Sequence, residues 1–92
     1  METGPVYIKS LAIRVIEGGQ ARVEAKLENH GDAPTPPLLL LLYFYDEENR
    51  VRDRISIRLK PFNQGDGLAV NTVFRLKSPG YFSYTARLEK IV

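Results

Sequence analysis

The chain has 92 residues, 43% hydrophobic, 26% charged and 10% aromatic, with 13 Lys and Arg against 11 Asp and Glu for a net charge of +2. That length supports one small core, the composition is that of a folded domain, and so even a charge balance places no demand for nucleic acid on the chain. There is no cysteine, which excludes a disulfide framework, a thiol nucleophile and a thiolate metal site.

Residues 1–5, METGP, read as an unstructured start, and residues 6–92 as one domain. The first apolar segment, VYIKSLAIRVI (6–16), is broken by Lys9 and Arg14, unlike the uninterrupted apolar stretch of a signal peptide. Val6 and Ile8 share one parity while Leu11, Ile13 and Val15 share the other. A strand that changes its buried face near Lys9 and Ser10 needs a bulge or a move from one sheet to another. EGGQ (17–20) is a turn. In ARVEAKLEN, Ala21, Val23, Ala25 and Leu27 alternate with Arg22, Glu24, Lys26 and Glu28, the period of a half-buried strand.

HGDAPTPP (30–37) is a Pro-rich loop leading to Leu38–Tyr45, eight large apolar residues in a row. DEEN is a four-residue turn, RVRDRISIRL a charged strand, and KPFNQGDG (60–67) a further loop. LAVNTVFRL aligns Leu68, Val70, Thr72, Phe74 and Leu76, and after the KSPG turn YFSYTARLEKIV aligns Phe82, Tyr84, Ala86 and Leu88. A competing assignment runs a helix from Thr35 and Pro36 through LLLLLYFYDEENRVRDR, since Pro suits the first helical position. Six or seven strands with turns every 8–12 residues predict an all-β, antiparallel β-sandwich of about seven strands. No apolar run reaches the roughly 18 residues that span a bilayer, so no membrane insertion is expected.

The order VEAKLENHGDAP, LYFYDEENRV, LKPFNQGDG, SPGYFSYTARLE resembles bacterial and archaeal immunoglobulin-like modules of the CARDB, FxLYD and BsuPI types. The resemblance covers residues 20–90. It departs from the pattern at Asn49, where Gly is usual, and in the lengthened loop from Leu59 to Gly65. It implies an immunoglobulin-like fold and an accessory or binding role, extracytoplasmic or at the cell surface when such a module belongs to a larger protein. It supplies no catalytic residue to carry over.

Chemistry is sparse. His30 is the single histidine, beside Glu28 and Asp32, and a metal site needs several converging ligands. NQGDG (63–67) has some of the composition of a calcium loop without its spacing or its terminal bidentate Glu. No nucleophile elbow, P-loop or dinucleotide fingerprint occurs. The expectation is a non-enzymatic chain without metal or cofactor.

One face remains to be explained. If DEEN closes a hairpin with Tyr45 facing Arg50, then Tyr43 faces Arg52, Leu41 faces Arg54 and Leu39 faces Ser56, with Phe44 and Val51 together on the core side. Leu39, Leu41, Tyr43 and Tyr45 then form an outward stripe beside Arg50, Arg52, Arg54 and Arg58, continued by Lys60. Exposed apolar patches of a few hundred Å² mark interaction sites, and Tyr and Arg are enriched at binding hot spots. Covering of the stripe by the 60–67 loop, or by the aliphatic stems of the arginines, is the competing account. Three roles fit: contact with a protein partner or a second copy, which is preferred; binding of an anionic polymer such as nucleic acid or an acidic polysaccharide; and, from the resemblance, proteinase inhibition through the 30–37 and 60–67 loops.

Overall fold

The computed structural model describes residues 6–77 and 80–91, so the reading of METGP lies outside the described residues. Six strands follow in chain order: β1 (Val6–Ile16), β2 (Gln20–Asn29), β3 (Leu38–Tyr45), β4 (Val51–Leu59), β5 (Gly67–Arg75) and β6 (Ser83–Lys90). They form two antiparallel sheets, β1-β2-β5 and β4-β3-β6, packed as a sandwich. No described helix is long and apolar enough to cross a membrane.

Six or seven strands were expected, and six are found among the described residues. The change of phase in β1 is a bulge between Ile8 and Ser10 rather than a transfer between sheets. One strand therefore keeps both apolar sets inward, with Ile8 opposite Leu27 and Leu11 opposite Ala25. The tight β1–β2 link uses Gly18 and Gly19 at φ 77° and 73°, a conformation that costs other residues. The helical alternative for 36–54 does not form: Thr35 is buried and its hydroxyl accepts the Phe62 N–H at 3.0 Å, instead of capping a helix.

The period-two signal of β2 holds residue by residue. Ala21, Val23, Ala25 and Leu27 are buried, while Arg22, Glu24, Lys26 and Glu28 face out. Across the sandwich, Leu38, Leu40, Leu42 and Phe44 of β3 meet them, all but inaccessible, with Ile55, Leu59 and Leu88 from the flanking strands. Truncating one such residue to Ala costs about 2–5 kcal/mol, from lost transfer energy plus the cavity left behind.

Two loops lock one end. Asn29, fully buried, donates its side-chain amide to the carbonyls of Ala33 (2.8 Å) and Phe62 (3.2 Å). Thr35 N–H donates to the Phe62 carbonyl (3.0 Å), and Gly65 N–H to that of Asn29 (2.9 Å). The 30–37 and 60–67 segments thus lie together, and Phe62 enters the core instead of covering the outer face of β3. At the opposite end the β5–β6 connection brings Tyr81 against Phe44, ring centroids 4.9 Å apart. Phe82, expected to share a face with Tyr84, lies before β6 and is 69% exposed.

Candidate protein-interaction face

β3 is the central strand of its sheet, bonded to β4 on one side and β6 on the other. That position explains eight apolar residues in a row: one face packs on the first sheet, and the other lies in a trough between two neighbouring strands. Leu39, Leu41, Tyr43 and Tyr45 all fall on this outer face, as the parity of the strand required.

The hairpin register differs from the expected one by two residues. Tyr43 faces Arg54, Leu41 faces Ser56 and Leu39 faces Arg58. The shift is even, so the residues of β3 keep their faces. Its cause lies in the turn. The Asp46 carboxylate accepts the N–H groups of Glu48 and Arg50, each at 2.9 Å, and Asp46 N–H donates to the Arg50 carbonyl at 3.0 Å. These bonds, the Arg50 N–H first among them, hold the Asp46 carboxyl below the usual aspartate range. Asn49 takes the left-handed conformation, φ 64°, which Asn tolerates better than most residues. The tightened turn leaves Arg52 without an opposite residue, in a bulge between Tyr45–Val51 and Phe44–Asp53.

That bulge changes who belongs to the face. Val51, expected on the core side against Phe44, lies opposite Tyr45 and is exposed. Asp53 takes the inward place opposite Phe44. It is buried and satisfied, with one oxygen accepting the Arg54 N–H at 2.8 Å and the other the Lys77 N–H. Arg50 does not join the row either, because its guanidinium is held by Asp46 (3.1 Å) and Glu48 (3.2 Å). Arg52 lies 3.8 Å from the same Asp46 carboxylate. Arg54 and Arg58 remain on the face, with no ion pair among the described residues.

β6 supplies what sequence reasoning did not assign. Arg87 pairs with Leu41, Thr85 with Tyr43 and Glu89 with Leu39. The Arg87 guanidinium sits 5.5 Å from the centroid of the Tyr43 ring and pairs with Glu89 at 3.2 Å. The Tyr45 hydroxyl lies 3.2 Å from that of Thr85. Seated between Ser56 and Arg87, Leu41 is only 7% exposed, so the expected open stripe is interrupted at that residue. Leu39, Tyr43 and Tyr45 stay half-exposed. Arg87 carried no signal in the sequence, since nothing local marks β6 as the neighbour of β3.

His30 forms no metal cluster. Its Nε2 lies 2.9 Å from Glu28 Oε1, its ring packs edge-on against Tyr7 with centroids 4.5 Å apart, and no group of three metal-ligating side chains occurs among the described residues. The bond to His30 and the ammonium of Lys9 (3.1 Å) hold the Glu28 carboxyl below the usual glutamate range. In NQGDG, Gly65 turns the chain at φ 77°, and Asp66 N–H donates to the Asn63 carbonyl at 3.1 Å, a turn rather than a cation loop.

No family model and no curated protein matches the chain. Among solved structures it is similar to "Crystal structure of putative beta-galactosidase from bacteroides fragilis", with a TM-score of 0.48 and 17% identity over 95% of this chain. The chain spans 16% of that one.

Proposed function

We propose that this chain is a non-enzymatic immunoglobulin-like module that binds a protein partner through the outer face of β4-β3-β6. The strand order supports the fold assignment: β1-β2-β5 corresponds to strands A, B and E of an immunoglobulin sandwich, and β4-β3-β6 to C′, C and F. This agrees with the resemblance to CARDB-like, FxLYD-like and BsuPI-like modules.

The observation that carries the function is composition by face. Half-exposed Leu39, Tyr43 and Tyr45 and exposed Val51 run together, edged by Arg54, Arg58 and Arg87. Aromatic and Arg side chains around an apolar centre are the usual makeup of a protein contact. An anionic polymer is less well served, because Arg50, Arg52 and Arg87 already have carboxylates beside them. Of that basic row only Arg54, Arg58 and Lys60 have no carboxylate beside them among the described residues, which leaves few cations to meet phosphate or sulfate.

The test is retention of partners from an extract of the source organism by immobilised protein. Partners held at high salt by the wild type and by Lys26→Glu, but lost with Tyr43→Glu, support the reading. A protein set that Tyr43→Glu retains unchanged removes it. Binding that fades steeply with salt and follows nucleic acid or acidic polysaccharide selects the anionic-polymer alternative.

A further inference from the structure

β5 is an open edge of the first sheet, and its pairing with β2 runs unbroken from Gln20–Arg75 to Glu28–Gly67. The hydrogen bonds of Leu76 N–H to the Gly19 carbonyl (2.9 Å) and of Asn29 N–H to the Asp66 carbonyl (3.2 Å) bracket that ladder. Bonded pairs alternate in an antiparallel ladder, so even-numbered residues of β5 bond to β2. The N–H and C=O groups of Ala69, Asn71 and Val73 therefore point to the open edge.

That edge carries none of the usual protection. There is no proline, no bulge and no charge from Gly67 to Phe74, whereas β1 is bulged at Lys9 and β4 is bulged at Arg52 with Asp53 turned inward. Such devices are how proteins blunt an edge. Below β5 the sandwich stands open: a groove of about 240 Å³ runs between β4 and β5, lined by Ile57, Leu59, Leu68, Val70, Thr72 and Phe74, with Arg58 and Lys60 contributed by the β4 side. Of the β5 side chains along it, Leu68, Val70, Thr72 and Phe74 face the core and are only half-buried.

The sequence of the edge names its occupant. GLAVNTVFR reads nearly symmetrically about Asn71. Set antiparallel against a second β5 with Asn71 opposite Asn71, it places Ala69 opposite Val73 on one face and Leu68 opposite Phe74 on the other, apolar against apolar on both. Val70 meets Thr72, and the single charge, Arg75, meets Gly67. In this register the bonded pairs are the odd-numbered residues, the same ones whose backbone groups face the edge.

We propose that two copies of this chain pair β5 against β5 about a two-fold axis at Asn71, joining the two first sheets into one of six strands. The interface is isologous, the commonest form of dimer. The inference does not rest on the partner-binding face, and the pairing leaves both copies of that face uncovered, so the dimer presents it twice.

Light scattering across a concentration series tests the pairing. The expected mass is twice the 10.4 kDa of one chain. Val73→Lys, at an exposed edge position, is expected to keep its circular dichroism and weaken the dimer at least tenfold. Because the chain lacks cysteine, Asn71→Cys reports the register directly. Cα atoms of a bonded antiparallel pair lie about 5.5 Å apart, within disulfide reach, so oxidation is expected to give a covalent dimer, while Ala12→Cys on β1 does not. A wild type of single-chain mass at every concentration overturns the proposal. So does a dimer that survives Val73→Lys, a dimer that only Tyr43→Glu disrupts, or an Asn71→Cys protein that no more cross-links than Ala12→Cys.

Discussion

β2 and β3 hold the same station in their sheets, each central and flanked on both sides, yet their outer faces are built on different terms. On β2 the outer residues are Arg22, Glu24, Lys26 and Glu28, engaged with neighbours in kind: Arg14 to Glu24 at 3.2 Å, Lys9 to Glu28 at 3.1 Å, Arg22 to the Asn71 side chain at 3.0 Å. On β3 the same stations hold Leu39, Leu41, Tyr43 and Tyr45. The inner faces of both strands are apolar, so packing of the sandwich does not account for the difference. A central strand needs only its core side to be apolar, and partner binding is the role proposed for the second apolar face of β3.

The largest expected effect tests how far the outer face of β3 is already a small core of its own. Leu41→Ala is expected to lose about 2–4 kcal/mol, in the manner of a buried leucine. Lys26→Ala, central on the other outer face, is expected to stay within about 0.5 kcal/mol. Urea melts with unchanged slopes measure both. Equal losses would reduce the two faces to one kind.

A smaller effect belongs to Tyr43. Replacement by Leu keeps the apolar contact and removes the ring beneath Arg87, at an expected cost of about 0.5–1 kcal/mol for an exposed cation–π contact. A double-mutant cycle with Arg87→Gln isolates the pair. A coupling of zero would leave Arg87 as a rim charge and nothing more.

The smallest effect lies on the polar face. Glu28 has its carboxyl pKa lowered by the bond to His30 and then by Lys9. A lowered folded pKa adds stability above the unfolded value, and that contribution is lost as pH falls through the folded value. Lys9→Ala and His30→Ala should each raise the titration midpoint of Glu28, followed by carboxyl NMR, and narrow the acid range over which stability depends on this group. The outer residues of β3 itself, Leu39, Leu41, Tyr43 and Tyr45, include no carboxylate to compare with Glu28.

Much of this was legible in the residues themselves. The change of parity across Lys9 located the irregularity of β1, and the structure makes it a bulge rather than the other reading, a move between sheets. Strict alternation placed β2, and the DEEN turn that opens at Asp46 placed the β3–β4 hairpin. The four outward residues of β3 followed from parity alone. The hairpin register did not, because Asp46 binds the N–H groups of Glu48 and Arg50 and sets the ladder back, leaving Arg52 over and turning Val51 outward. A turn's hydrogen bonds depend on rotamers and φ angles that residue type only biases.

Local pattern thus determined which residues form strands, which side of each strand is apolar, and where the chain turns, because side-chain alternation and turn chemistry act over a few neighbours. Tertiary structure decided the rest. It set β6 beside β3, 38 or more residues away in the chain, so that Arg87 meets Leu41 and Tyr43. It covered Leu41, left Val51 and Phe82 outside, and kept β5 at an edge of its sheet, with a neighbouring strand on one side only. Those outcomes depend on which strands find each other across long loops, and closing a long loop is only weakly penalised by its length. Partner choice is therefore settled by the fit of whole faces rather than by any signal within a single segment.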